Sequence, residues 1–179
     1  KFATTTDGGL TWKRKTTLNG QSRDADIVML SRDTLFYISI NKKLVSSFDG
    51  GATWTITGEV TGVPVDIKSM VFYNRLKGIC ATVDGMIYST SNGGLDWLPY
   101  PGLPHNDNTV LLVYGGLTIG YGSNRSFILS TDEGANWQEY GFTDSINTPN
   151  FVKIMNGSLY ISAGGNTWYK CDLTGRILF

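Results

Sequence analysis

The chain has 179 residues, enough to bury a substantial hydrophobic core within one compact body. Its 15 basic and 15 acidic residues cancel, so bulk charge does not favour binding to nucleic acid or to an anionic membrane. The 22 glycines and 12% aromatic residues are typical of many short strands joined by tight turns. The sequence contains no run of 18 apolar residues, so we expect no membrane-spanning helix.

The predicted strands follow one another in sets of four, after an opening half set at residues 1–16. The four full sets cover residues 26–58, 66–101, 109–141 and 150–179. We expect strands at residues 1–6 and 10–16; 27–30, 34–40, 44–48 and 52–57; 67–74, 78–83, 86–90 and 95–100; 109–114, 117–121, 127–131 and 135–140; 151–155, 159–163, 168–172 and 176–179. No segment of ten or more residues has a clear apolar period of 3.6, so the chain is predicted to be all-β.

A turn sequence recurs between the third and fourth strands of each set. Its copies are TTDGGLTW at residues 5–12, SFDGGATW at 47–54, TSNGGLDW at 90–97, STDEGANW at 130–137 and the degenerate CDLTGRIL at 171–178. Their third positions are separated by 42, 43, 40 and 41 residues. A fixed turn signal with a period near 40 indicates a repeat architecture.

The residue types in these copies predict a self-contained turn. Aspartate or asparagine bonds to backbone groups a few residues on, and glycine accepts a positive φ without steric cost. A tryptophan three residues past the second glycine can fold back over the turn. We therefore assign a structural role to the acid or amide and the tryptophan of each clear copy, which are Asp7, Trp12, Asp49, Trp54, Asn92, Trp97, Asp132 and Trp137.

These octapeptides resemble the Asp-box, or BNR repeat, whose pattern is Ser/Thr-x-Asp-x-Gly-x-x-Trp. The first, second and fourth copies match throughout, and the third has Asn92 in place of the acid. The resemblance implies a β-propeller of four-stranded antiparallel blades, in which each box joins strands three and four away from the ligand-binding face. We expect four full blades plus half a blade, as one propeller domain or the C-terminal part of a larger ring. The two missing strands would come from upstream sequence or from another chain.

The candidate ligand site is the face opposite the boxes, where the between-blade loops meet the loops joining strands two and three. Residues 99–108 lie there and hold three of the five prolines and the single histidine. Their aromatic, amide and carboxylate groups suit recognition of a sugar or a peptide. Arg23 belongs to a second cluster, of charged residues, on the same face. The alternative for residues 99–108 is a proline-stiffened loop whose polar side chains are only solvated. The alternative for the Arg23 cluster is ordinary surface ion pairing. The predicted ligand-binding residues are Tyr100, His105, Asn106, Asp107 and Arg23.

Catalytic and cofactor sites are not predicted. The resemblance to sialidases implies an arginine triad, an acid/base aspartate and a tyrosine nucleophile assisted by glutamate. Glu59 is the one glutamate placed where a catalytic acid could act, so we assign no catalytic residue. One histidine and two separated cysteines do not predict a metal site, and we expect no cofactor. Cys80 and Cys171 lie in different repeats and are expected to be buried free thiols.

Three classes of function fit the sequence. The first is a non-catalytic recognition module that binds a glycan or a protein, at a cell surface, outside the cell or on a virion. The second is a fragment of a sialidase-like glycoside hydrolase whose catalytic residues lie mostly upstream. The third is a structural or assembly propeller.

Overall fold

The computed structural model describes residues 2–15, 27–39, 41–63, 66–100, 109–114, 116–122, 126–141, 149–163, 167–173 and 178. All regular secondary structure within these ranges is β-strand, which confirms the all-β prediction. The described residues accordingly form no helix that could cross a membrane.

The strands assemble in chain order into antiparallel sheets, which we number as blades 1 to 5. Blade 1 is a pair, and blades 2 to 4 have four strands each. The strands are β1 (Phe2–Thr4) and β2 (Lys13–Lys15) in blade 1; β3 (Val28–Met29), β4 (Leu35–Ile38), β5 (Lys43–Ser47) and β6 (Thr55–Glu59) in blade 2; β7 (Ile67–Phe72), β8 (Gly78–Thr82), β9 (Ile87–Thr90) and β10 (Leu98–Pro99) in blade 3; β11 (Val110–Tyr114), β12 (Leu117–Tyr121), β13 (Ser126–Ser130) and β14 (Gln138–Gly141) in blade 4; β15 (Pro149–Met155), β16 (Ser158–Ala163) and β17 (Thr167–Cys171) in blade 5.

Blade 5 shows three strands among the described residues, where four were expected. The predicted fourth strand at residues 176–179 lies outside the described residues except for Leu178. The Leu178 N–H donates to the Lys170 carbonyl at 2.7 Å, on the side of β17 where a fourth strand would pair.

The fourth strands of blades 1 to 4 begin later than the apolar pattern predicted. β2, β6, β10 and β14 each start directly after a box tryptophan, not at the second residue before it as predicted. The reason is local, because the residue before each tryptophan donates its N–H to the box acid or amide. That residue belongs to the turn.

Neighbouring blades pack face to face through apolar side chains that alternate along the central strands. Phe36 and Ile38 of blade 2 meet Met70 and Cys80 of blade 3 in one core. A second core joins blade 3 to blade 4 and includes Ile79, Ala81, Ile87 and Leu111. A third joins blade 4 to blade 5 and includes Ile119, Phe127, Val152, Leu159 and Ile161. Both faces of β8 are thereby covered by neighbouring blades, which explains why this strand is apolar or small at every position.

Backbone hydrogen bonds assign the turns to two opposite ends of the blades. At the box end, the Gly50 N–H donates to the Asp33 carbonyl at 3.0 Å, which joins a box to the loop between strands one and two. At the other end, the Val60 N–H donates to the Lys42 carbonyl at 2.7 Å, which joins the end of a fourth strand to the loop between strands two and three. This is the predicted division into a box end and a candidate ligand face.

Candidate functional site

The second box shows how eight residues close the turn. The Ser47 hydroxyl accepts from the Gly51 N–H at 2.8 Å and donates to the Asp49 carboxylate at 2.8 Å. That carboxylate accepts from the N–H of Thr53 at 2.8 Å and from its hydroxyl at 2.6 Å. The Trp54 indole N–H then donates to the Gly51 carbonyl at 3.2 Å. Every polar group of the pattern is thus used inside its own turn.

The other clear boxes repeat these bonds, including the one without an acid. In the third box, the Asn92 side-chain carbonyl accepts from the Asp96 N–H at 3.0 Å. The Asn92 amide N–H donates to the Asp96 carboxylate at 2.7 Å. In this box the carboxylate therefore lies four residues later in the turn than in the other clear boxes. The indoles of Trp12, Trp97 and Trp137 each donate to the carbonyl of the residue three before, at 3.0, 2.9 and 2.9 Å.

These bonds stabilise the ionised form of the box acids. The Thr53 hydroxyl, followed by the Thr53 N–H, lowers the pKa of Asp49 to about 2. The same groups of Thr11 lower the pKa of Asp7 to about 2. The Asn136 side chain and N–H lower the pKa of Asp132. The box carboxylates are therefore charged acceptors and are unsuited to donating a proton near neutral pH.

The four indoles differ in burial although they make the same bond. Trp54 and Trp97 are 7% and 1% exposed, and Trp137 is half-buried, but Trp12 is 62% exposed. Val60 and Val63, which follow the fourth strand of blade 2, share a core with Trp97 of blade 3. Trp54 packs with Leu35, Tyr37 and Val45 of its own blade, whereas blade 1 shows only β1 and β2 among the described residues, and the Trp12 ring stays mostly exposed.

A rim link joins the end of one blade to the box of the next. The Thr61 N–H donates to the Leu95 carbonyl at 2.7 Å, and the Trp97 N–H donates to the Thr61 carbonyl at 3.1 Å. The Thr61 hydroxyl also donates to the Asp96 carboxylate. Sequence reasoning missed this link, because a threonine two residues past a strand carries no distinctive signal.

Tyr100, the first of the predicted ligand-binding residues, makes a comparable link between blades 3 and 4. Its hydroxyl donates to the Ala135 carbonyl in the fourth box at 2.8 Å, and its ring packs in the same core as Trp137. Burial raises the pKa of the Tyr100 phenol. The ring is half-buried, and the bond to the box orients it. The other predicted ligand-binding residues, His105, Asn106, Asp107 and Arg23, lie outside the described residues.

The described part of the candidate ligand face carries both signs of charge. The ammonium of Lys43 and the carboxylate of Glu59 form an ion pair at 2.6 Å. The hydrogen bond from Lys43, and then its positive charge, lower the pKa of Glu59. Lys42, in the left-handed region with a φ of 54°, donates its ammonium to the Val63 carbonyl at 2.6 Å. Glu59 is thus held as an ionised partner of a lysine.

Blade 3 contributes an acidic corner with an apolar centre to this face. The Val83 N–H donates to the Asp66 carbonyl at 3.0 Å, which brings the loop between β8 and β9 beside the start of β7. Asp84, the next residue, accepts from the Thr82 hydroxyl at 2.5 Å. All three residues of the Asp66, Val83 and Asp84 corner are exposed. Within the described ranges, no group of three or more His, Cys, Asp or Glu side chains is placed to hold a metal ion.

Comparisons with known proteins gave matches to solved structures only. No family model matches the chain, and no curated protein matches its sequence. The structure of YCF48 bound to D1 peptide is 17% identical, with a TM-score of 0.65 over 90% of this chain and 53% of that one. The WD40 β-propeller domain of Doa1 is 12% identical, with a TM-score of 0.65 over 92% of this chain and 56% of that one.

The third of these structures is an enzyme, the GH74 protein of Niastella koreensis. It is 18% identical, with a TM-score of 0.61 over 98% of this chain and 28% of that one. The chain therefore spans a little over half the length of the YCF48 and Doa1 structures and a smaller part of the enzyme. At these identities the likeness concerns the fold, and the chain has a β-propeller fold of about four blades and a partial sheet.

Proposed function

We propose that this chain is part of a β-propeller recognition module that binds a polypeptide segment on the face opposite the boxes. The corner formed by Asp66, Val83 and Asp84 carries the proposal. It combines one exposed apolar residue with two exposed acidic residues, and the Lys42 and Lys43 loop of blade 2 lies on the same face. Such a surface fits an extended segment with basic and apolar side chains. The peptide bound in the YCF48 structure supports a polypeptide partner in general.

The predicted ligand-binding residues belong to the same proposal. Tyr100 follows directly after β10 and precedes residues 101–108, which include His105, Asn106 and Asp107. We propose that these three side chains, together with Arg23, add polar contacts to the ligand. Tyr100 would act by orienting the segment that follows it, since its hydroxyl already bonds to the fourth box.

Recognition is favoured over catalysis by the state of Glu59. A glycosidase requires a carboxyl group that holds its proton near neutral pH, and burial or a neighbouring carboxylate normally raises its pKa. Glu59 is exposed, paired with Lys43 and shifted in the opposite direction. We therefore expect the purified chain to release no fluorophore from a fluorogenic sialoside, and measurable turnover would contradict the non-catalytic proposal.

The binding proposal is tested with arrays of peptides and of glycans, probed with the labelled 179-residue chain. Peptides that contain basic and apolar residues are expected to bind, and Asp66→Lys should weaken this binding at least tenfold. Asp33→Lys is the matched control, because Asp33 is also an exposed acidic residue but lies at the box end. Equal losses in the two variants would exclude the proposed face. Binding to glycans alone would replace the polypeptide by a carbohydrate ligand.

His105→Ala and Asp107→Ala test the contribution of residues 101–108. Both should weaken peptide binding without lowering the melting temperature, because side chains used for recognition add little to folding. Peptide affinity that persists in both variants would restrict the site to the described corner.

A further inference from the structure

Asparagine followed by glycine deamidates readily without an enzyme, and this dipeptide occurs three times in the chain. Asn92–Gly93 and Asn156–Gly157 lie within the described residues, and Asn19–Gly20 lies outside them. In the reaction, the backbone nitrogen of the glycine attacks the side-chain amide carbon of the asparagine. Glycine permits this attack because it has no side chain to obstruct the five-membered ring that forms. The two described dipeptides lie in very different surroundings.

In the third box, the groups that would have to react are already hydrogen-bonded. The Asn92 side-chain carbonyl accepts from the Asp96 N–H at 3.0 Å and from the Thr90 hydroxyl at 3.1 Å. The Asn92 amide N–H donates to the Asp96 carboxylate at 2.7 Å. The attacking nitrogen would be that of Gly93, whose N–H donates to the Leu76 carbonyl at 2.9 Å. Ring closure would therefore break these bonds and separate the box from the neighbouring loop.

Asn156 and Gly157 instead form the two-residue turn between β15 and β16. The pairing of Met155 with Ser158 leaves only these two residues in the loop. Their φ values of 50° and 70° are those of a type I′ turn, and both residues are exposed. Within the described part of the chain, no hydrogen bond holds the Asn156 side chain. A Cβ added at Gly157 would meet no atom within 4 Å, so the space around the turn is open.

The two sites differ in what must open before the ring can close. A left-handed turn does not itself bring the Gly157 nitrogen onto the Asn156 amide carbon, so this turn has to open briefly. Its opening breaks no side-chain hydrogen bond and moves two exposed residues at the end of a hairpin. Opening of the third box breaks the three side-chain bonds of Asn92 and the backbone link to Leu76.

We propose that Asn156 is a site of spontaneous deamidation in the folded chain, and that the third box protects Asn92 from the same reaction. As the Gly157 nitrogen bonds to the side-chain carbon, ammonia leaves and a succinimide remains. Water then opens the succinimide at either carbonyl, which gives aspartate or isoaspartate. Both products add a carboxylate to the turn, and isoaspartate also lengthens the backbone by one carbon. The turn joins the first two strands of blade 5, at the box end, so the proposal does not depend on the proposed function.

The test follows deamidation at each site in the full 179-residue chain. The chain is incubated at mildly alkaline pH, because the attacking nitrogen must lose its proton, and its peptides are then analysed by mass spectrometry. Asn156 should deamidate at least about tenfold faster than Asn92, because additional bonds must break at Asn92. In concentrated urea the two sites should react at similar rates, because both are then asparagine–glycine dipeptides in an unfolded chain.

Variants of the third box test the protection directly. Asp96→Ala removes the acceptor of the Asn92 amide and should speed deamidation of Asn92 several-fold, while the rate at Asn156 stays within about twofold. Asp96→Asn keeps an acceptor and should retain most of the protection. Ser91→Ala is the control, because Ser91 is the exposed neighbour of Asn92 and takes no part in these bonds. Melting temperatures show that each variant is folded during the incubation.

Two results would overturn the proposal. The first is deamidation of Asn92 in the folded chain at a rate equal to or above that of Asn156. The second is an Asn156 that stays intact in the folded chain over a period in which urea allows complete reaction. The comparison of folded and urea-treated wild-type chain decides both, even where Asp96→Ala fails to fold.

Discussion

Each box tryptophan donates the same indole hydrogen bond, but the four rings differ in how much apolar surface they bury. Trp54 lies in a core with Leu35, Tyr37 and Val45, and the centres of its ring and the Tyr37 ring are 5.3 Å apart. Trp12 makes the indole bond from a mostly exposed position. A comparison of Trp54 with Trp12 therefore separates the contribution of burial to stability from that of the indole hydrogen bond.

Trp54→Ala should lower the free energy of unfolding by about 3–5 kcal/mol, as for other large truncations in a core. Trp12→Ala is the matched control and should cost about 1 kcal/mol or less, because its ring stays largely in water. Urea denaturation followed by circular dichroism measures both. Similar costs for the two variants would mean that the indole hydrogen bond, and not burial, carries the stability.

The lowered pKa of Asp49 predicts a pH dependence of stability. A carboxyl with a folded pKa of about 2 and an unfolded pKa of about 4 stabilises the folded state above the unfolded value. This contribution is lost as the pH falls from about 4 to about 2, when the folded state gives up its charged acceptor. Thermal unfolding across this range should show a steep fall in melting temperature. Asp49→Asn should make the fall shallower, and an unchanged slope would contradict the role of the carboxylate.

Asn92 provides a reference for that variant. Its side-chain carbonyl accepts the box N–H without a charge. Asp49→Asn should consequently keep the turn closed at neutral pH and cost less than Asp49→Ala, which removes the acceptor altogether.

At the scale of elements, the rim link makes the outer strand of blade 2 continuous with the box of blade 3. Gly62 follows Thr61 with a φ of 83°, and a Cβ at this position would overlap the Trp97 carbonyl oxygen. The close approach of two backbones therefore requires glycine here.

Gly62→Ala should lower the free energy of unfolding by more than the cost of placing an alanine in the left-handed backbone conformation. Gly116→Ala is the control, since Gly116 has a φ of 85° and no atom within 4 Å of an added Cβ. The control should cost about 1–2 kcal/mol for the left-handed backbone alone. Gly62→Ala should cost more, because the rim link must move apart. Equal costs in urea denaturation would show that the link contributes no stability.

At the scale of the whole molecule, the two cysteines report on how far the blades unfold together. Cys80 lies in the core between blades 2 and 3, and Cys171 lies in the core between blades 4 and 5. Both are free and buried, as expected from their different repeats. Burial raises the pKa of Cys171 to about 11 and raises that of Cys80 further, so neither is a reactive thiolate at neutral pH.

Both thiols should react slowly with a disulfide reagent in the native chain and become accessible at the same urea concentration. The core between blades 3 and 4 couples the two ends, so the sheets are expected to open as one unit. Mass spectrometry after pulse labelling identifies which cysteine has reacted. Labelling of Cys171 at a clearly lower urea concentration than Cys80 would show that blade 5 unfolds separately.

The sequence by itself determined the parts of this protein that depend on a few consecutive residues. The box turns follow from hydrogen bonds between residues two to four positions apart, such as those of Asp49 with Ser47 and Thr53. Strand order follows from the repeat, because tight turns join neighbouring strands into antiparallel sheets. The two ends of the blades could then be assigned by counting strands.

Only the tertiary structure decided which of these residues are buried and what the blades do to one another. The bonds from Thr61 to Asp96 and from Tyr100 to Ala135 each span 35 residues. The sequence carries no signal that these residues pair with one another. Trp12 and Trp54 have the same local pattern but different exposure, because Trp54 packs on side chains from the inner strands of its own blade. Likewise, Lys153 and Lys170 are 17 positions apart in the chain, and only the register of β15, β16 and β17 places them in one row. Contacts between sheets depend on twist and packing, which local sequence does not specify.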